Sequence, residues 1–261
     1  MIANYHSHTH RCHHATGTER EYIETAIARG LKILGFSDHT PMIFPTDEYY
    51  SDFRMHPEQL EDYVRTLSDL RDEYKNDIEI HIGLEVEYYP ALFNRLMEFL
   101  SDYPIEYMIL GQHFVDNEYD THFHSSHIKD RADCLTKYVD QLLEAAATGR
   151  FLYMAHPDLC RYTGDPDIWE KEYRRLAEGA KKIGIPLEIN FLGLRDNRHY
   201  PSERFNQIVA EVGNPVIFGC DAHQVDAVAN PDTLKKAEEF AARFGFTPLE
   251  TLPFPENPIK R

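Results

Sequence analysis

The first 39 residues, MIANYHSHTHRCHHATGTEREYIETAIARGLKILGFSDH (residues 1–39), lay out one complete strand–helix–strand unit. An apolar run at residues 2–5 ends in His6-Ser7-His8. Thr18, followed three residues later by Glu21, reads as a capping box, and Gly30 as the stop signal. Between them Tyr22, Ile23, Ala26 and Ile27 share one helical face. A second apolar run at 31–36 then ends in Ser37-Asp38-His39.

The same grammar repeats to the end of the chain. Further β-like runs fall at 78–86, 105–110, 151–155, 186–191 and 215–220, which makes seven strands. Amphipathic helices are expected at 58–74, 90–100, 132–147, 168–183, 202–212 and 234–244. Regular alternation of strand and helix implies a parallel sheet with helices outside. Seven repeats fit an α/β fold of the distorted (β/α)7 barrel type, resembling a TIM barrel, with a doubly wound sheet as the alternative. In both, catalytic loops gather at the C-terminal ends of the strands. No linker or low-complexity tract interrupts the alternation, so residues 1–261 are expected to form a single domain.

Composition narrows the partners. The chain carries 44 Asp and Glu against 27 Lys and Arg, a formal net charge of −17. Such a field repels phosphate backbones, which argues against a binder of long nucleic acid. A small phosphorylated substrate is still compatible, because bound divalent ions invert the local potential. No stretch approaches the 18 apolar residues of a membrane span, and MIANYHSHTH lacks the shape of a secretory signal. A cytoplasmic protein without a membrane partner is expected, of unassigned oligomeric state. Cys12, Cys134, Cys160 and Cys220 are widely spaced and read as buried free thiols.

The chemistry collects where the strands end. The first two ends supply His6, His8, Asp38 and His39, the third Gly83-Leu84-Glu85, and the fourth Gly111-Gln112-His113. The fifth supplies His156-Pro157-Asp158 and the seventh Asp221-Ala222-His223. A lone histidine at a strand end is usually a hydrogen-bonded loop residue, but six of seven ends converging on one rim point to a metal cluster. On a strand, residues i and i+2 share a face, so His6 and His8 can grip one cation, and Asp221 and His223 pair likewise. Imidazole with carboxylate suits Zn, Mn or Fe better than Mg or Ca. His122, His124, His127 and His199 lie in polar loops and are read as loop residues, and His81 as structural.

These motifs, together with His6-Ser7-His8-Thr9-His10, Gly35-Phe36-Ser37-Asp38-His39 and Glu188-Ile189-Asn190 through Gly193-Leu194-Arg195, resemble those of the PHP (polymerase and histidinol phosphatase) superfamily, most closely its monofunctional histidinol-phosphatases. The resemblance implies a trinuclear site holding two to three divalent transition-metal ions. One metal would take His6, His8, Glu85 and Asp221, with Glu85 bridging to a second held by His113 and His156. A third would take His14, His39 and His223, His14 being chosen over His13 because it stands six residues after His8. Glu87 is the rival for the bridge. Asp38 is placed to orient an imidazole. The expected catalytic set is Glu85, Asp221, His223, Arg161 and Arg195, with Arg161 and Arg195 binding phosphate through forked hydrogen bonds and Arg198 a poorer candidate.

The expected reaction is hydrolysis of L-histidinol phosphate to L-histidinol and phosphate, with a metal-bridging hydroxide attacking phosphorus. A PHP-type phosphodiesterase or exonuclease, or a phosphatase for another small phosphomonoester, is the alternative. An amidohydrolase would add a bridging Lys just after a middle strand, and none stands there. Substrate choice is expected to reside in the loop 114–129, whose acids Asp116, Glu118 and Asp120 could attract a cationic amine or simply face solvent.

Overall fold

The computed structural model describes residues 1–46, 49–121, 123–256 and 258–259. Its parallel strands curl into a distorted barrel. β1 (Ala3–Asn4), β2 (Ile33–His39), β3 (Glu79–Val86) and β4 (Tyr107–Leu110) form one ladder, and β5 (Leu187–Asn190) pairs with β6 (Val216–Gly219). The run expected at 151–155 is not a regular strand. Its β-bridges are both at Met154, which pairs with Leu110 on one side and Leu187 on the other. Neighbouring backbone bonds, Ala155 N–H to Leu110 O at 2.8 Å and Glu188 N–H to Met154 O at 3.0 Å, carry the sheet across this point. Ser7 bridges Ala222 at the upper rim, whereas lower down the edge of β6 is taken by Leu249. The ring is thus irregular where its two ends meet.

The helices are α1 (Glu19–Ala28), α2 (Leu60–Tyr74), α3 (Pro90–Leu100), α4 (Glu118–Thr121), α5 (Ala132–Ala147), α6 (Pro166–Ile183), α7 (Phe191–Arg195), α8 (Glu203–Val212) and α9 (Pro231–Arg243). The capping box of α1 is present, the Thr18 N–H reaching Glu21 Oε2 at 2.8 Å. α6 and α9 begin earlier than their periodicity suggests. Asp165 and Asn230 cap them, with proline as the first helical residue, where its missing N–H is harmless. The short α4 and α7 lie in segments expected to be loop or strand end, too short to show a helical period.

Alternation along each strand separates two apolar clusters. Leu34, Phe36, Ile80, Ile82, Leu84 and Val86 point outward into the large core under the helices. Ala3, Tyr5, Tyr107, Ile109, Leu152, Tyr153, Ala155 and Ile217 fill the barrel interior. The Tyr107 hydroxyl donates to the carbonyls of Tyr5 and Phe36 at 2.9 and 3.0 Å, tying three strands at this apolar floor. Above it the inward positions turn polar. Among the described residues no helix is long and apolar enough to cross a membrane.

Candidate metal centre

Strand register brings the polar layer together. His39 of β2 pairs with Glu85 of β3, and the two side chains meet with Nδ1 3.0 Å from Oε2. The other oxygen of Glu85 lies 2.7 Å from His156 Nε2 and 3.8 Å from His113 Nε2. His6 and His8 each approach Glu85 Oε2 to 3.5 Å, and Asp221 Oδ1 to 3.6 and 3.2 Å. One carboxylate therefore separates two groups of imidazoles, and a second stands across from it. Gly111 makes the centre possible, because a Cβ there would collide with the Glu85 carboxylate.

His14 and His223 form the outer part. Their Nε2 atoms face each other at 3.1 Å, and His223 Nδ1 lies 3.2 Å from Asp221 Oδ1. The His39 ring stands 5.2 Å from that of His14 and 5.9 Å from that of His223. His13 instead packs on His56 with the backbone at φ 68°. Every residue expected to ligate metal thus lies in one contiguous cluster.

The electrostatics follow the geometry. Burial would depress His6, yet Glu188, Asp221 and Glu85 outweigh it and raise the imidazole well above its ordinary value. His8 is likewise raised, to about 9, Asp221 and Asp38 overcoming burial. In His14, burial with His223 and His8 as neighbours pushes the value down to about 4. Glu85 and Asp221 fall well below the carboxylate range despite burial, held by the surrounding imidazoles. Imidazoles and carboxylates thus stabilise each other's charged forms across the cluster.

The donor set fits a divalent metal. His6 Nε2, His8 Nε2 and Glu85 Oε2 are buried polar atoms without a hydrogen-bond partner, an arrangement that is costly unless a cation takes the lone pairs. Ligand atoms of His6, His8 and Asp221, of His6, Glu85 and His156, and of His8, His39 and His223 fall within 4.8 Å of one another. Cys12 lies close to His14 and His223 as well, but burial and Asp38 hold its thiol protonated. Mixed imidazole and carboxylate donors point to a transition metal.

Other carboxylates aim the rings. Glu188 Oε1 accepts from His6 Nδ1 at 2.7 Å, and its Oε2 accepts from the His156 N–H and from Asn190 Nδ2, both at 2.9 Å. Asn190 also donates to Asp221 Oδ2 at 3.0 Å. Asp38 accepts from the backbone N–H groups of His39 at 2.9 Å and Thr9 at 3.1 Å, and the imidazole it stands near, at 3.5 Å from Nδ1, is that of His8 and not of its neighbour His39. Glu188 and Asn190 received no role from the sequence, although they stand at i and i+2 of β5, the spacing that singled out His6 and His8. Glu87 is removed from the centre: it meets His113 Nδ1 at 3.0 Å and the buried Arg54 at 3.1 Å.

A cavity of about 320 Å³ opens over the cluster, lined by His14, His39, His113, His223, Arg195 and Arg198 among others. Phe53 forms a wall, its ring 4.7 Å from His39 and 5.0 Å from His113. Arg195 is partly buried and its Nε donates to Asp196 Oδ1 at 2.9 Å. Arg161 does not reach this cavity. It is exposed and lines an adjoining hollow of about 520 Å³ with His127 and His199. The two cavities share His124, Leu159, Arg198 and Tyr200, so Arg198 stands at the junction, better placed than its sequence position suggested. His124 was read as a plain loop residue, yet it also lines both cavities, and burial with His113 nearby lowers it to about 4. His81 pairs with Glu79 and Glu106 away from the site, and His122 lies outside the described residues.

The acids of the loop 114–129 do not face the cavity with free carboxylates. Asp116 pairs with Lys137 at 2.7 Å, Asp120 accepts from Asn117 at 2.9 Å, and Glu118 is buried against Arg54. None of the three lines the cavity over the cluster.

The model of the PHP domain family matches residues 4–191. A probable histidinol-phosphatase of Deinococcus radiodurans is 29% identical over 93% of this chain and 95% of its own length. A probable histidinol-phosphatase of Schizosaccharomyces pombe is 25% identical over 85% of this chain and 81% of its own. Among solved structures, histidinol phosphate phosphatase from Lactococcus lactis, complexed with zinc, L-histidinol and phosphate, superposes with a TM-score of 0.72 over 97% of this chain and 98% of that one, at 21% identity.

Proposed function

The chain belongs to the PHP domain family, and on that premise we propose that it is a metal-dependent phosphomonoesterase that hydrolyses L-histidinol phosphate to L-histidinol and phosphate. The observation that carries this reading is the position of Glu85. One of its oxygens faces His156 and His113 and the other faces His6, His8 and His39, as a carboxylate bridging two cations requires. The relatives named histidinol-phosphatase and the zinc in the Lactococcus lactis structure support the same assignment.

Two to three Zn, Mn or Fe ions would be held by His6, His8, Glu85 and Asp221, by His113 and His156 with Glu85, and by His14, His39 and His223. When bound, such ions activate water near neutral pH and neutralise charge on a phosphoryl group. The chain's own residues do the rest. Glu188, by accepting from His6 Nδ1, leaves Nε2 as the lone-pair donor. Arg195 and Arg198 present guanidinium groups at the cavity mouth for phosphoryl oxygens, and Arg161 lies farther out, toward the leaving group. A single domain would carry the whole activity. Four buried free thiols suit the reducing cytoplasm.

The test is steady-state kinetics on L-histidinol phosphate beside sugar and nucleoside monophosphates, with p-nitrophenyl phosphate against its bis ester as the class control. L-histidinol phosphate should give the highest kcat/KM, and the monoester should be preferred to the diester. A sugar or nucleoside phosphate turned over more efficiently would displace the substrate, and diester preference would displace the class.

A further inference from the structure

Residues 49–54 and the loop 114–129 hold no member of the ligand set, yet a fully buried cation ties both to one of its imidazoles. Arg54 is 1% exposed. Its Nε donates to Glu118 Oε2 at 2.7 Å, and a terminal nitrogen lies 2.6 Å from that oxygen and 3.1 Å from Glu87 Oε1. The other terminal nitrogen donates to the Thr40 carbonyl at 3.3 Å. Glu118 in turn accepts from the Tyr49 hydroxyl at 2.7 Å and from that of Ser51. Glu87 Oε1 accepts a second hydrogen bond, from His113 Nδ1 at 3.0 Å, while Oε2 accepts from the Tyr89 hydroxyl.

One oxygen of Glu87 is therefore shared between Arg54 and His113, and one guanidinium is shared between Glu87 and Glu118. In a buried network of this kind each charge holds its place only while the others stay charged. A carboxylate that accepts from Nδ1 fixes the tautomer and plane of a ligating imidazole. A neutral side chain substituted for Glu118 would leave Arg54 with Glu87 as its one anionic partner, in competition with His113 for Oε1. Phe53, next to Arg54 in the chain, packs edge-on against His113 at 5.0 Å and so joins the same segment to the same ring.

We propose that Glu118 and Arg54 are positioning residues, and that the line Glu118–Arg54–Glu87–His113 lets the loop 114–129 set how firmly a metal is held at His113, His156 and Glu85. This rests on the reading of His113 as a ligand. It gives Glu118 a role in the metal centre although its side chain touches none of the candidate ligands directly.

The experiment loads full-length protein with zinc and measures its transfer to a chromogenic chelator. Glu118→Gln should weaken retention about tenfold, and Glu87→Gln at least as much, within the 10- to 100-fold range of groups behind metal ligands. In a His113→Asn background Glu118→Gln should have no further effect, because a relay is non-additive with its endpoint. The pair Tyr49→Phe and Ser51→Ala strips two hydrogen bonds from Glu118 with every charge kept, and should weaken retention about threefold even where Glu118→Gln does not fold. Retention unchanged in these variants, or Glu118→Gln acting equally with and without His113, overturns the relay. Wild-type protein that takes up no zinc overturns the underlying metal-site reading and the relay with it.

Discussion

Glu188→Gln is the sharpest probe of how the barrel builds its site, because β5 supplies none of the candidate ligands and reaches two of them, His6 and His156, through this carboxylate. Glu188 is 3% exposed and accepts three hydrogen bonds, from His6 Nδ1, the His156 N–H and Asn190 Nδ2. A glutamine keeps one acceptor oxygen. Placed toward His6, it leaves an NH2 group against two donors, with two bonds lost at about 0.5–1.5 kcal/mol each. Flipped, it donates to His6 Nδ1 and drives the ring proton to Nε2, the atom needed for a cation. Either orientation predicts about 1.4–2.8 kcal/mol, equivalent to roughly 10- to 100-fold weaker metal binding. The assay is competition with a chelator, read by metal analysis, followed by kcat/KM at saturating metal. Glu188→Asp should not rescue, since the shorter side chain cannot span His6 and His156 together. Wild-type metal retention in Glu188→Gln would refute the argument that Glu188 selects the His6 tautomer.

Chelation of the purified protein should abolish phosphomonoesterase activity and lower the melting temperature, with both restored by Zn or Mn, because ligands that bind only the folded state stabilise it; activity surviving full metal removal would contradict this. Arg195→Ala should lose at least tenfold in kcat/KM toward phosphomonoesters with metal content unchanged, and Arg195→Lys should recover only part, for want of the planar fork. The Asp158 carboxyl is raised from 3.8 to about 6 by burial, although it accepts from the Ser202 N–H. Its folded state therefore holds the proton more tightly than the unfolded chain, and stability falls as pH rises from about 4 to 6, by ~3 kcal/mol at most. Asp158→Asn should therefore gain stability relative to wild type at pH 7 compared with pH 4, as measured by denaturant unfolding at the two pH values.

The barrel was legible because alternation of strand and helix is a local signal. Most of the candidate ligands could be named because strand ends share one rim, whereas His14, just beyond the 3-10 turn His10–Cys12, was named only from the resemblance. What escaped depended on contacts between distant segments. Residues 151–155 have the apolar content of a strand, but the sheet narrows to Met154 where two ladders meet. Glu85 and Glu87 looked equivalent on period-two grounds. β3 ends at Val86, however, so Glu87 lies past the pleat and turns sideways to Arg54 while Glu85 stays on the barrel axis. Phe53 and Arg54 come from a long irregular segment with no period to aim them. The loop acids read as solvent-facing or substrate-facing, whereas Glu118 is claimed by a buried guanidinium 64 residues away in sequence.

The backbone carries a further sign that this rim is built for a cation and not for stability alone. His156 and Asp221, expected ligands from opposite sides of the cluster, adopt φ values of 28° and 47°, where a side chain is unfavourable. The surrounding bonds hold them there. The His156 N–H is fixed by Glu188, and Asp221 is fixed by Asn190 and by the Ala222 pairing with the first strand end. Gly219 leaves the space that Glu188 needs, since a Cβ there would strike its carboxylate. Strain and orphaned lone pairs converge on one face of an otherwise apolar barrel, and a positive ion takes up the lone pairs. The stability given up to shape the rim is therefore returned when metal binds, which makes metal content a term in the folding equilibrium as well as in the reaction.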